Sequence, residues 1–400
     1  MSCDILIPRR DFNLVKSSVL YLKSIEQLKQ DLKQILHGDS IPCCGFDYIE
    51  SLNPNPVGIP TLANLICGIK GDILCRILNL KPTYYVNDAG SNFSKFLLNH
   101  RCAKDHPIES VYNLTVGSEQ DLLNTRRQIF DNYPPDAIIL REEIVKKILN
   151  AYKQLNTLTP DLVYESTYTP LVKRAVNEAQ SREKGLYYKD TQIATSTGLP
   201  LYIAADYFYH LDIDSKYKHK LQLVSKDHSK YIKTIDSMTG TPWVYNLGPM
   251  VLYQGDKLSK RKGHNLTIDE VALAAINLSR KQVITCLKLF FMKYENRDKV
   301  DLEQLLIECT TPHLLKPLKT STNTTTADLE NIIEGLSEDQ IDQTIRVWAN
   351  LKEVFHWSVL RLDVNKIYKF IEHVYGLPKN PKSKLIHDKL MHNLLEQLGL

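Results

Sequence analysis

The eight cysteines of this 400-residue chain form no C-x-x-C pair, and without that spacing neither a zinc ribbon nor a redox dithiol is expected. Cys3, Cys43, Cys44, Cys67, Cys75, Cys102, Cys286 and Cys309 are scattered, with Cys67 and Cys75 inside a predicted helix. That is the pattern of free thiols in a reducing compartment, with no metal site. No apolar run reaches the roughly 18 residues that a membrane-spanning helix needs, so a soluble protein is expected. Charge of one sign is also lacking. The 50 Lys+Arg against 46 Asp+Glu leave +4, a mild basic excess that is compatible with RNA without demanding it. Near the start, Asp4 and Asp11 offset Arg9 and Arg10, a poor composition for a mitochondrial presequence.

What is present is most concentrated between Glu50 and Arg76. Phe46, Tyr48 and Ile49 suit a strand, while Pro54, Pro56 and Gly58 stop either regular structure from continuing. Beyond this turn, Leu65, Ile69, Ile73 and Ile77 recur every fourth residue and predict a helix starting near Thr61. A helix N-terminus beside a strand's carboxyl end offers unpaired amides and a positive dipole to anions, with Thr61 or Asn64 adding donors. The same pattern also describes an ordinary capped strand-to-helix connection.

A second strand is read at Tyr84-Tyr85-Val86, followed by the turn Asn87-Asp88-Ala89-Gly90. Helical periodicity runs from about Gln120 to Gln180, with Ile144, Ile148, Tyr152 and Leu155 on one face. Strand-like runs return at Leu201-Tyr202-Ile203, Leu221-Gln222-Leu223-Val224 and Met250-Val251-Leu252-Tyr253. Strands alternating with helices imply a parallel α/β sheet. After Gly263 the chain reads as helices: Val271 to Phe290, Ile341 to Leu360, and Val364 to Tyr375 with the stripe Val364, Ile367, Ile371 and Val374. The polar run Lys319 to Thr326 is expected to be a surface loop. Ahead of the first strand, Ile25, Leu28, Leu32 and Ile35 describe one amphipathic helix that Gly38 ends.

Near the end of the α/β part stands Lys257-Leu258-Ser259-Lys260-Arg261-Lys262-Gly263. Two ammonium groups and a hydroxyl within so short a stretch suit an anionic ligand such as a phosphate. A solvated basic turn has the same composition.

Together these stretches resemble the class I arginyl-tRNA synthetases. The Asn53-Pro54-Asn55-Pro56 run is similar to the family's Ser-Pro-Asn-Pro, and Gly71-Asp72-Ile73-Leu74-Cys75-Arg76 matches the Gly-Asp-x-Leu-x-Arg that follows it. The His-x-Gly-His quartet between them is replaced by Thr61-Leu62-Ala63-Asn64. Tryptophanyl enzymes resemble this with Thr-Ile-Gly-Asn, but Ala63 adds a β-carbon where adenine would lie against bare backbone. Leu199 to Asp212 is similar to the family's Thr-Pro-x-Tyr-x-Ala-Ala-Asp-x-x-Tyr-His-Leu-Asp, and Val224 to His228 occupies its Val-Gly-Ala-Asp-His/Gln segment.

The resemblance implies a Rossmann-like catalytic domain over 45–265, a short helical segment over 1–44, and a helical anticodon-binding-like domain over 266–400. It implies an arginine pocket from Glu50, Asn55, Tyr202, Asp206 and His228, since a guanidinium calls for planar hydrogen bonds to carboxylates. It implies ATP contacts from Gly58, Thr61, Ala63, Asn64, Lys257 and Lys260, with Lys257, Ser259, Lys260, Thr61 and Asn64 in catalysis. The expected activity is arginine-tRNA ligation by a monomer using ATP with Mg2+, arginine and tRNA(Arg), with no tightly bound cofactor. The alternative is a non-catalytic tRNA-binding adaptor. The short N-terminal part and compact size resemble mitochondrial forms, so the mitochondrial matrix is the expected location and the cytoplasm the alternative.

Overall fold

A computed structural model describes the chain apart from residues 1–23, 38–44, 53, 59, 61, 115, 226–228, 242, 254, 258–267, 270–277, 295–296, 298, 302–303, 305–324, 338, 341–346, 349–350 and 377–380. The described strands are β1 (Tyr48–Leu52), β2 (Thr83–Val86), β3 (Asp161–Tyr164), β4 (Gln180–Arg182), β5 (Gly185–Tyr188), β6 (Thr191–Ala194), β7 (Lys220–Ser225), β8 (Val244–Gly248), β9 (Met250–Tyr253), β10 (Asp256–Lys257) and β11 (Lys299–Asp301). The helices of the first half are α1 (Ile25–His37), α2 (Leu62–Leu78), α3 (Ser91–Cys102), α4 (Ile108–Val111), α5 (Glu119–Asn132), α6 (Pro135–Gln154), α7 (Thr169–Glu178), α8 (Tyr202–Asp214) and α9 (Ser229–Thr239). Those that follow are α10 (Arg280–Tyr294), α11 (Thr326–Glu334), α12 (Leu351–Arg361), α13 (Asn365–Gly376) and α14 (Pro381–Gln397).

Five strands form a parallel sheet in the order β3-β2-β1-β7-β8. The chain builds outward from β1 through β2 to β3, then returns to lay β7 and β8 on the other side of β1. Strand order therefore reverses between β1 and β7, the place where open α/β sheets leave a crevice beyond their carboxyl ends. Glu50 lies opposite Gln222 across that boundary.

Helix α2 covers this sheet because its stripe Leu65, Ile69, Ile73 and Ile77 is buried as the spacing predicts. Its close approach depends on Gly71, where an added Cβ would stand 2.0 Å from Ser51 Cβ on β1. The Pro-rich turn between β1 and α2 is held by the Tyr84 hydroxyl, which donates to the Pro54 carbonyl at 2.7 Å. Gly58 within it has φ of 130°, a backbone conformation that a side chain would strain.

Four expectations need correction. Leu201-Tyr202-Ile203 is not a strand: Leu201 caps α8, which starts at Tyr202. Ile203, Ala204, Ala205, Tyr207, Tyr209 and His210 are all buried, so no single polar face marked this helix. The predicted helical stretch to Gln180 contains the edge strand β3, whose four residues show no alternation of exposure. Strands β4, β5, β6 and β8 were not anticipated; the first three form a small antiparallel sheet outside the main one. The C-terminal part is not wholly helical, because β11 joins β9 and β10 in a third sheet. The Val271 to Phe290 and Ile341 to Leu360 predictions fall partly outside the described residues. Within them stand α10 and α12.

The helices after residue 280 pack directly on the sheet domain. One apolar cluster runs from Ile49 and Ile73 through Phe290 and Phe355 to Ile371 and Leu394. Helix α1 joins it through Leu28, Leu32 and Leu36 and adds ion pairs from Lys33 and Lys29 to Glu334 at 2.7 and 3.4 Å. Beneath α2, the buried Asp72 meets Arg76 at 3.0 Å and Lys288 at 3.4 Å. Lys288 also donates to the Gly399 carbonyl at 2.7 Å, so α2, α10 and the segment after α14 share one polar node.

Candidate active site

The crevice beyond β1 and β7 holds a cavity of about 230 Å³. Four of the residues predicted for the amino-acid pocket line it: Glu50, Asn55, Tyr202 and Asp206. Each arrives from a different cause. Glu50 points inward from the middle of β1, Asn55 belongs to the Pro-rich turn, and Tyr202 and Asp206 lie one helical turn apart on α8.

Glu50 is 1% exposed. Its carboxylate accepts from the Tyr209 hydroxyl at 2.7 Å and from Gln222 Nε2 at 2.9 Å. Tyr209 is in turn bonded to the Tyr48 hydroxyl at 2.7 Å and stacked on Tyr85 with ring centroids 4.1 Å apart. This aromatic bed keeps water away and fixes the direction of Glu50. Asp206 accepts from the Tyr231 hydroxyl, while its other oxygen is buried near the Tyr85 hydroxyl. Tyr202 is 55% exposed and lies against Tyr231 with centroids 4.6 Å apart, at the cavity mouth.

A third carboxylate, Glu165, was not identified from the sequence. It follows β3, lines the same cavity, and accepts from the Ala89 amide at 3.0 Å. Gln222, Tyr85 and Tyr231 were missed as well. Glu165 would have been found had β3 been recognised, because residues at the carboxyl ends of parallel strands face the crevice.

Burial dominates the electrostatics. It pushes the Glu50 carboxyl up to about 7 and Asp206 to about 6. Glu165 is pushed to about 8 by burial and by the charge of Asp206. No Lys, Arg or His stands among the described residues lining this cavity. Three carboxylates with no counter-charge among the described lining residues favour a cationic guest, and planar groups with several donors suit them best. A second cavity of about 260 Å³ adjoins the first, sharing Gly90, Ser91, Glu165 and Tyr202, and has Arg126 in its lining.

The residues predicted to hold nucleotide are less fully placed. Thr61, Ser259, Lys260 and His228 lie outside the described residues. Lys257 ends β10, and Ala63 and Asn64 occupy the first turn of α2. Asn64 is exposed, and its carbonyl accepts from the Tyr152 hydroxyl at 3.1 Å. Gly58 is buried in the turn before α2.

No family model matches the chain. It is similar to the arginine-tRNA ligase of Rickettsia canadensis, at 26% identity over 245 residues that cover 48% of this chain and 42% of that protein. It is also similar to the arginine-tRNA ligase of Methanocaldococcus jannaschii, at 26% identity over 58% of this chain and 50% of that protein. The matched stretch thus spans half or less of these relatives' length. Among solved structures, the chain superimposes on Thermus thermophilus arginyl-tRNA synthetase with a TM-score of 0.61 and 13% identity, covering 93% of this chain and 85% of that one. Plasmodium falciparum arginyl-tRNA synthetase gives a TM-score of 0.62 at 14% identity, covering 94% and 82%. The chain is thus similar in part of its sequence to arginine-tRNA ligases, and its fold is that of the arginyl-tRNA synthetases.

Proposed function

We propose that the protein is an arginine-tRNA ligase, which activates arginine with ATP and Mg2+ and transfers it to the terminal ribose of tRNA(Arg). The observation that carries this reading is the cavity holding Glu50, Glu165 and Asp206 at the switch point of the sheet. A guanidinium presents paired, coplanar donors along its edges for bidentate bonds to carboxylates, a geometry that an ammonium lacks. Asn55 and Tyr202 close the same cavity, and His228 is assigned a further contact.

ATP is assigned to the turn and helix start at Gly58, Thr61, Ala63 and Asn64, with Lys257, Ser259 and Lys260 over its phosphates. Thr61 and Asn64 keep donor capacity where the family has histidines. Loss of one preorganised donor costs on the order of 3 kcal/mol, about a hundredfold in rate, which a slow ligase tolerates.

The test is aminoacylation with purified protein, ATP, labelled arginine and several arginine-accepting tRNAs. Charging is expected, and it should vanish in Lys260→Ala and fall steeply in Asp206→Asn. If the unaltered protein charges no tRNA above the Lys260→Ala background, ligase activity is refuted. A non-catalytic adaptor would instead bind tRNA with steep salt dependence and ignore arginine plus ATP.

A further inference from the structure

Asp88 and Glu165 stand just beyond the carboxyl ends of β2 and β3. Each accepts the backbone N–H of the residue that follows the other: Ser166 N donates to Asp88 Oδ1 at 2.8 Å, and Ala89 N donates to Glu165 Oε2 at 3.0 Å. This reciprocal clamp is reinforced from behind. Fully buried, Asp88 also accepts from the Ser166 hydroxyl at 2.7 Å and the Tyr133 hydroxyl at 3.1 Å, and it pairs with Arg141 at 2.8 Å. Joining the two strands does not require so many donors on one carboxylate, since β2 and β3 already pair from Thr83 to Val86. Asp88 does not line the cavity; Glu165 does.

We propose that Asp88, neutralised by Arg141, is a positioning residue for the acidic cavity: it aims the Glu165 carboxylate at the bound guanidinium, and the Asp88–Arg141 pair sets how much negative charge the site presents. The inference rests on the arginine-binding reading above. Glu165 faces Asp88 and Tyr85 from the β2 side, Asp206 and Tyr202 from α8, and Tyr231 from α9. Arg126 from α5 borders the adjoining cavity, and Arg141 from α6 stands behind Asp88 with Glu142 as its second partner at 2.7 Å. No ion pair joins either arginine to Glu165 among the described residues. Among the described residues, Arg141 is the cation paired with Asp88, and it tempers the charge that Asp88 presents to Glu165.

The two charges predict opposite effects. Asp88→Asn removes a negative charge beside Glu165 and eases its ionisation, so the pH midpoint for arginine uptake moves down. Arg141→Gln leaves Asp88 uncompensated, and the midpoint moves up. The experiment is calorimetric titration of the full chain with L-arginine between about pH 5.5 and about 9, bracketing the carboxylate range of the site. Both variants should also bind about tenfold more weakly at their best pH, the equivalent of one misdirected charge-assisted hydrogen bond. Ser166→Ala should weaken binding without moving the midpoint, and Arg141→Lys should restore it.

Midpoints that stay put or move together in folded Asp88→Asn and Arg141→Gln overturn the positioning role. Where Asp88→Asn does not fold, the Arg141→Gln and Arg141→Lys comparison decides alone. Failure of the unaltered protein to bind arginine at any pH overturns the ligand reading along with it, which separates the two outcomes.

Discussion

A carboxylate removed from water holds its proton more tightly, and three of them in one cavity reinforce the effect. Glu50 rises from 4.5 to about 7, Asp206 from 3.8 to about 6 and Glu165 from 4.5 to about 8. Because each folded value is raised, the stabilisation from these groups is present below their ordinary values and is lost as pH climbs through the folded ones. The empty protein should therefore lose thermal stability between weakly acidic and weakly alkaline pH, and arginine should restore it. Arginine affinity should rise over the same window, with proton release that calorimetry in buffers of different ionisation enthalpy will detect. Glu50→Gln should abolish part of that proton release and weaken arginine binding by roughly 2 kcal/mol, while raising the melting temperature of the empty protein at alkaline pH. An unchanged proton count in Glu50→Gln would show that Glu50 does not titrate on binding.

Elements were legible where one face is buried and opaque where several are. Helix α2 and the stripe of α13 were visible because their buried positions recur with the helical period. Helix α8 was misread because apolar residues surround it, and β3 was absorbed into helices because it is a short edge strand. At the same scale, Gly71 permits α2 to sit on β1 at a distance that a methyl group forbids. Gly71→Ala should destabilise the protein by about 2 kcal/mol through overpacking against Ser51, read as a lower denaturant midpoint. The double substitution with Ser51→Gly should recover most of that loss; no recovery would place the strain elsewhere.

For the whole molecule, the shared core makes the sheet domain and the C-terminal helices one cooperative body. Asp72, Arg76 and Lys288 tie α2 to α10 beneath the helix whose first turn is assigned to ATP, and Gly399 closes the node through its carbonyl. A single unfolding transition is expected by both calorimetry and fluorescence. Lys288→Met should lower stability by about 3 kcal/mol, since it strips a buried carboxylate of one of its two cations. Two transitions in the unaltered protein would show that the halves unfold independently.

Sequence alone was sufficient for the parallel α/β class and the inward stripes of the helices, because short-range periodicity carries that information, while Glu50, Asn55, Tyr202 and Asp206 were marked only by the resemblance of their motifs to a known family. The tertiary structure decided that those four share one cavity, that Glu165 is a third carboxylate in it, and that Asp88 and Arg141 stand behind it. Those relations join residues far apart in the chain, and only the order of strands in the sheet brings them within hydrogen-bonding distance.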